Sequence, residues 1–108
     1  MPVTLPPAIT AYFAATNAHD VPVMIAAFSE NAVVEDEKEQ HRGREAIRAW
    51  MNETIAKDDF HVEPTNVADE DGKTIVTALV SGSFPGSPVS LRHSFTFAGA
   101  KIVRLQIG

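Results

Sequence analysis

The sequence predicts an α+β domain in which three helices, all in the N-terminal half, pack on one face of a curved, mainly antiparallel sheet. Before residue 58, apolar residues recur at helical spacing in three segments. After that residue, each segment alternates between apolar and polar residues and is bounded by short turn sequences, which is typical of strands. Helices that precede a run of strands favour the α+β class. A curved sheet covered by helices encloses a pocket, and such a pocket is a common small-molecule site.

The first two helices are marked by capping residues and prolines. The first is predicted over residues 5–18, with Thr4 as its cap and Pro6 and Pro7 in the first turn, where a missing N–H group costs little. Its buried face consists of Leu5, Ile9, Tyr12, Phe13 and Thr16. Asp20 is expected to cap a second, short helix. The apolar residues of that helix are Val21, Met24, Ile25 and Phe28.

A short strand and a third helix follow. Residues 29–31 are predicted to form a turn, residues 32–36 a strand, and the polar residues after them a connection. Gly43 precedes the third helix, which is predicted over residues 44–57. The core positions of this helix are Ile47, Trp50, Met51, Thr54 and Ile55.

The second half of the chain is predicted to be a four-stranded meander. Its strands cover residues 60–68, 73–84, 89–98 and 101–107. Because Pro64 cannot donate a ladder hydrogen bond, the first of these strands is expected to lie at an edge or to contain a bulge. In the third strand, alternation places on one face Val89, Leu91, His93, Phe95 and Phe97.

Length and composition restrict the classes of function. A chain of 108 residues predicts a single domain, residues 1–108, with room for one core and a modest cavity. A net charge of −5 and scattered Lys and Arg residues argue against nucleic acid as a partner. The sequence contains no cysteine, which excludes a disulfide framework and suits the cytoplasm. No apolar run or leader in it predicts a membrane span or a signal peptide.

The acidic stretch after the short strand can be interpreted in two ways. Strand alternation places Val34 and Asp36 on one face, and Val33, Glu35 and Glu37 on the other. If Val34 points toward the helices, Asp36 points into the pocket as well. If the strand ends at Val34, all of these acids are solvated. The residues alone leave both interpretations open.

Two further polar residues lie on faces that are otherwise apolar. His93 is either a core histidine bonded to a neighbour or a pocket residue, since a neutral imidazole provides one donor and one acceptor. Tyr12 is either packed in the core or placed with its hydroxyl at the rim of a pocket.

One alternating polar stretch could suggest a metal site. It consists of Glu35, Glu37, Glu39 and His41. A run of charged residues is more often a solvated face than a ligand set. We therefore expect no metal and no cofactor.

Four segments carry a family resemblance, namely AYFAATNAHD, AAFSENAVVEDE, RGREAIRAW and HSFTFAGAKIVRL. Together with the order of elements, they resemble the nuclear transport factor 2-like superfamily, and within it the SnoaL-like and ketosteroid isomerase-like group. The resemblance covers about residues 5–107 and implies a cone-shaped sheet with the helices on its concave face. Proteins of this fold include isomerases, cyclases, dehydratases, hydrolases and non-catalytic binders. The resemblance therefore specifies the fold more closely than the reaction.

The resemblance implies a catalytic trio and a pocket wall. Ketosteroid isomerases place a tyrosine on the first helix, an aspartate after a Val-Glu pair and an acid on a late strand, and Tyr12, Asp36 and His93 stand at these positions. Asp36 would then be a general base, with Tyr12 and His93 as donors to an enolate oxygen. The wall that binds the substrate is expected to consist of Phe28, Trp50, Phe60, Phe95 and Phe97.

The chain departs from this pattern at several positions. His93 stands where the group has an aspartate. Phe28 and Met51 stand where some members have tyrosines that support the oxyanion site. The connection from Asp36 to Gly43 is shorter, and Glu37 stands where a proline is usual. These differences argue against steroid isomerisation itself.

Three functions follow from these observations. The first is an enzyme, an isomerase or polyketide cyclase-like protein, that abstracts a proton from a small, largely apolar carbonyl compound. The second is a domain that binds a small ligand in the same cavity without chemistry, and the third is a dimerisation module with a filled core. A homodimer is expected through the outer sheet face, where Val80 and Ile102 would form an apolar patch beside Arg92 and Arg104.

Overall fold

The computed structural model describes residues 5–108, which form three helices and one six-stranded sheet. The elements are α1 (Pro7–Asn17), α2 (Val21–Ala26), β1 (Phe28–Asp36), β2 (Glu39–Arg42), α3 (Gly43–Asp58), β3 (His61–Glu70), β4 (Lys73–Ser81), β5 (Val89–Ala98) and β6 (Lys101–Ile107). The strand order is β2-β1-β6-β5-β4-β3, and the β1–β6 pair is parallel while the other pairs are antiparallel. The predicted α+β fold with a mainly antiparallel sheet is confirmed.

Prolines and one cap fix the first two helices. α1 begins at Pro7 rather than at residue 5, because Pro6 precedes another proline and is therefore held extended, with ψ at 143°. The predicted cap Thr4 lies outside the described residues. The predicted cap of α2 is confirmed, since the Asp20 carboxylate accepts a hydrogen bond from the backbone N–H of Val23 at 3.4 Å.

The first hairpin differs from the prediction in two respects. Residues 29–31 lie within β1 and not in a turn, because β1 pairs with β6 at Phe28, shifts register and pairs again from Val33 onward. The polar residues that suggested a turn occupy this irregular stretch. β2 follows through the two-residue turn Glu37-Lys38, in which both residues have positive φ values of 52° and 65°. Turns of this kind usually contain Asn or Gly, so a Glu-Lys pair does not predict a turn.

Arg44 anchors α3 to β1. Its guanidinium donates two hydrogen bonds, of 3.0 and 2.7 Å, to the backbone carbonyl of Phe28. Ile47 and Met51, which are fully buried, form part of the core face of the same helix. The start of α3 is thus fixed against the start of β1, and the later turns of the helix run over the inner face of the sheet.

The meander agrees with the prediction except at one strand end. β3 is an edge strand, and its register with β4 shifts between Pro64 and Asn66, so both effects expected of the proline are present. β4 ends at Ser81 rather than at residue 84, because the chain turns at Gly82 to pack against the end of α3. A Cβ atom at Gly82 would lie 2.4 Å from the carbonyl oxygen of Asp58, so the close approach requires glycine.

The outer sheet face is not the one predicted from the sequence. Val80 and Ile102 were expected outside, but they are 7% and 0% exposed and point toward the helices. In β4 the inward set is Val76, Ala78 and Val80, and Leu79 points outward at 36% exposure. Alternation defined the two sets correctly but did not determine which set faced the core. The homodimer itself stays a prediction.

None of the helices within residues 5–108 is long and apolar enough to cross a lipid bilayer.

Candidate functional site

A cavity of about 710 Å³ lies between the helices and the inner face of the sheet. Residues from α1, the end of β1, the β1–β2 turn, α3 and strands β3 to β6 form its wall, together with the β4–β5 loop. Most of the lining is apolar. Tyr12, Asp36 and His93, the three residues singled out in the sequence, all line this one cavity.

Asp36 is the carboxylate of the acidic stretch that turns inward. It is the last residue of β1, and its alternation partner Val34 is fully buried. The indole Nε1–H of Trp50 donates a hydrogen bond of 3.1 Å to Asp36 Oδ2. Burial is the main cause that raises the pKa of Asp36, and the Glu37 charge adds to it, while the Trp50 hydrogen bond and the His41 ring oppose the rise.

Glu35 lies on the opposite face of the strand. It accepts hydrogen bonds from Gln106 at 3.1 Å, from Gln40 at 2.8 Å and from the guanidinium of Arg104. These groups, Gln106 foremost, lower the pKa of Glu35. The two neighbouring acids therefore have opposite environments, which is what strand alternation predicts once Val34 is known to face the helices.

Tyr12 is 4% exposed, and its ring packs edge-on against Phe28 and Phe95 at centroid distances of 5.6 and 5.9 Å. Burial raises the pKa of Tyr12 well above its ordinary value, and the negative charge of Asp36 raises it further. The hydroxyl is therefore neutral at physiological pH and keeps its proton for donation.

His93 is a buried imidazole with an unused nitrogen. The ring is 5% exposed and packs edge-on against Phe13 at 5.5 Å. Its Nδ1 atom has no hydrogen-bond partner within the part of the chain that the structure describes. Burial lowers the pKa of His93 to about 4, although backbone groups of Leu91 and Val76 oppose this, so the ring is neutral at physiological pH. A buried polar atom without a partner costs about 1–3 kcal/mol.

The five aromatic residues predicted to bind the substrate lie at different places relative to the cavity. Trp50 and Phe60 line the cavity, but Phe28, Phe95 and Phe97 do not. Phe28 and Phe95 are fully buried in the core, where the Tyr12 ring packs against both of them. Phe97 stacks on Phe95 at 6.3 Å, one alternation step further along β5.

Several lining residues were not predicted. The sequence predicts Phe13 on the buried face of α1 without a role in the pocket, and it predicts Phe84 as the last residue of a strand. Phe13 lines the cavity from α1, and Phe84 does so from the β4–β5 loop. Lys38 and Lys57 contribute to the lining as well. The sequence contains a sign that could have identified Phe84, because an aromatic residue directly before Pro-Gly is unusual in a turn.

No group of three or more His, Cys, Asp or Glu side chains within residues 5–108 is placed to hold a metal ion. Of the four residues in the alternating polar stretch, Glu35 bonds to Arg104 and Gln106, whereas Glu37 lines the cavity, so these two carboxylates do not share a site.

We expect stability to decrease as the pH falls from about 6.5 toward about 4, in part because of His93. In this interval the unfolded chain binds a proton at this residue and the folded chain does not, so stability rises with pH. The largest contribution of one such group is about 3 kcal/mol. Urea unfolding of the native protein and of His93→Phe at several pH values measures it, and the difference between their slopes isolates the imidazole. Parallel pH curves for the two proteins would contradict the assignment.

Comparison with solved structures gives the same architecture. A proposed polyketide cyclase from Sinorhizobium meliloti is 38% identical, with a TM-score of 0.92 over 96% of this chain and 95% of that chain. The epoxide hydrolase/cyclase-like enzyme SalBIII, which has a role in pyran ring formation in salinomycin, is 25% identical, with a TM-score of 0.81 over 93% of this chain and 85% of that chain. A protein from Catenulispora acidiphila with a ketosteroid isomerase-like fold, solved with trimethylamine, is 22% identical, with a TM-score of 0.84 over 97% and 86% of the two chains.

A comparison with curated protein sequences gives no match. The model of the SnoaL-like domain family matches residues 9–105, which is nearly the whole chain. The cone-shaped α+β architecture, with helices over a curved mixed sheet, agrees with that assignment. The chain therefore belongs to the SnoaL-like domain family.

Proposed function

We propose that the cavity binds a small, largely apolar carbonyl compound and that Asp36 acts on it as a general base. One observation carries this proposal: a partly buried carboxylate with a raised pKa shares the cavity with a neutral tyrosine hydroxyl and a neutral imidazole. Titratable groups whose pKa values are shifted by burial in one cleft are typical of acid–base sites.

The chemistry of such a site is proton abstraction beside a carbonyl group. Asp36 takes a proton from the carbon next to the carbonyl, and the electron pair of the C–H bond moves toward the carbonyl oxygen. Tyr12 and His93 each provide an N–H or O–H group that donates to this oxygen as negative charge develops on it. Returning the proton to another carbon gives an isomerase, and attack of the carbanion on a second carbonyl carbon gives a cyclase.

The relatives support a role of this kind without defining the reaction. The proposed polyketide cyclase and the epoxide hydrolase/cyclase-like enzyme both have names that describe ring formation. A purely binding domain would use the same cavity, so the proposal needs a test that separates binding from proton transfer.

The test uses 2-tetralone, a compact apolar ketone whose α-hydrogens exchange with solvent once a base removes them. We expect the native protein to accelerate the incorporation of deuterium at the α-carbon. Proton NMR in D₂O measures this rate as the loss of the α-hydrogen signal. Tyr12→Phe should reduce the protein-catalysed rate by about 10²- to 10³-fold, because one donor to the developing oxyanion is lost. Binding is followed in parallel with 2-naphthol, a stable analogue of the enol.

Three results are possible for this assay. Exchange that depends on Tyr12 supports the enzyme. Tight binding of 2-naphthol without any exchange of 2-tetralone supports the binding domain and contradicts the proposal. Exchange at the rate of buffer alone, with no binding of 2-naphthol, contradicts both functions for compounds of this class.

A further inference from the structure

The tryptophan that contacts Asp36 comes from a different element and does more than line the cavity. Trp50 lies on α3 and is the only tryptophan of the sequence. Its side chain is 8% exposed, and its Nε1–H donates to Asp36 Oδ2 at 3.1 Å. A hydrogen bond from a ring N–H to one carboxylate oxygen restricts rotation of the carboxylate.

The indole is itself held in place from two sides. Arg44, at the start of the same helix, fixes α3 to the backbone of Phe28 at the start of β1. On β2, His41 pairs with Val34 and therefore faces inward, where its ring lies 5.8 Å from the Trp50 ring at an angle of 30°. The end of β1 and the middle of α3 thus meet at this hydrogen bond.

We propose that Trp50 is a positioning residue for Asp36, and that its indole N–H sets both the orientation and the ionisation of the carboxylate that acts as the base. This inference rests on the proposed function in assigning Asp36 the role of base. The inference goes beyond the proposed function because it gives the tryptophan a role in positioning the base. The sequence alone predicts only that Trp50 contacts the substrate.

The other groups that face Asp36 make this contact important. Glu37 follows Asp36 directly and carries a like charge, and the Tyr12 hydroxyl of α1 shares its cavity. The His41 ring on β2 is also near Asp36 and lowers the pKa of its carboxyl group. Desolvation and Glu37 both favour the protonated carboxylic acid, which cannot act as a base. The indole donor favours the ionised form, which is the form that acts as a base.

The experiment replaces the indole N–H while keeping the shape of the ring. Because the sequence has one tryptophan, growth on β-benzothienylalanine substitutes sulfur for this N–H at residue 50 only. Trp50→Phe is the second variant, and Thr54→Val is the matched control, since Thr54 lies one turn further along α3, lines the same cavity and bonds only to backbone carbonyls of Trp50 and Met51. The carboxyl ¹³C signal of Asp36, assigned with Asp36→Asn, is titrated by NMR without any ligand.

We expect the acid dissociation constant of Asp36 to fall by about three- to tenfold in both Trp50 replacements and to stay unchanged in Thr54→Val. With 2-tetralone, kcat should fall more than KM changes, because orientation of the base affects the chemical step. An unchanged dissociation constant in the benzothienylalanine protein, or an equal change in Thr54→Val, would overturn the inference.

The outcomes for the two proposals are separable. If the native protein does not exchange 2-tetralone, the proposed function fails for this ketone, yet the titration of Asp36 still decides whether the indole N–H controls the carboxylate. If exchange occurs and depends on Asp36 but not on Trp50, the proposed function stands and the positioning role is wrong.

Discussion

Asp36→Asn should reduce the protein-catalysed exchange of 2-tetralone by about 10²- to 10⁴-fold, the range that a positioned general base contributes. The amide has nearly the same shape as the carboxylate and its oxygen can still accept the Trp50 hydrogen bond, so the cavity keeps its form. The amide cannot, however, accept a proton from carbon as the carboxylate does. Proton NMR in D₂O, with the rate in buffer subtracted, gives the ratio of the two rates.

The pH dependence of the native rate provides a second measure of the same group. The base must be ionised to act, so the rate should fall as the pH drops through the pKa of Asp36. Because burial raises this pKa, the fall should occur at a higher pH than for an ordinary aspartate. The residual rate of Asp36→Asn should lack this decrease. A native profile that shows the decrease only where unperturbed aspartates titrate would contradict the partly buried environment.

A stability measurement serves as the control for Asp36→Asn. A carboxyl group whose pKa is raised by folding stabilises the folded state below its unfolded pKa, and this stabilisation is lost as the pH rises through the folded pKa. At pH 7 the ionised Asp36 is therefore unfavourable for folding, and the Asn variant should have a Tm no lower than that of the native protein. A variant that has lost activity and also melts much earlier would indicate that Asp36 is structural.

Strand alternation predicted the positions on β1 and β5 but not their surroundings. It placed Asp36 on the face of Val34 and His93 on the face of Phe95, and both pairs do point inward. The resemblance added that Tyr12 belongs with them. The contact from Trp50 to Asp36 could not be predicted, because it depends on how far α3 advances along the sheet and not on any local pattern.

The structure differs from the sequence-based expectations in two ways, namely in which face of a strand points inward and in what an inward-facing side chain meets. Phe28 and Phe95 point inward but are covered by the Tyr12 ring, so they support the cavity without lining it. Val80 also points inward, and it lines the cavity, although it had been assigned to the outer face. Periodicity separates the two faces of a strand, whereas the position of the helices above it decides what each side chain meets.

The distinction between supporting and lining aromatics leads to the prediction with the largest effect on stability. Phe95→Ala should reduce the free energy of unfolding by about 3–5 kcal/mol, because a fully buried ring is removed and the surrounding structure closes only partly over the space. The lost contacts include the rings of Tyr12, Phe13 and Phe97, at centroid distances of 5.9, 5.8 and 6.3 Å. Urea unfolding followed by circular dichroism measures the change.

Phe60→Ala is the matched comparison, because Phe60 is an aromatic residue that lines the cavity and is only partly buried. We expect it to cost less stability than Phe95→Ala but to weaken binding of 2-naphthol more, since its ring is removed from the ligand side. Phe97→Leu provides a further check, because Phe97 contacts Phe95 from outside the cavity lining and should leave 2-naphthol affinity nearly unchanged. If Phe95→Ala instead folds as stably as the native protein and loses 2-naphthol affinity, Phe95 reaches the ligand, and the expectation from the sequence was correct after all.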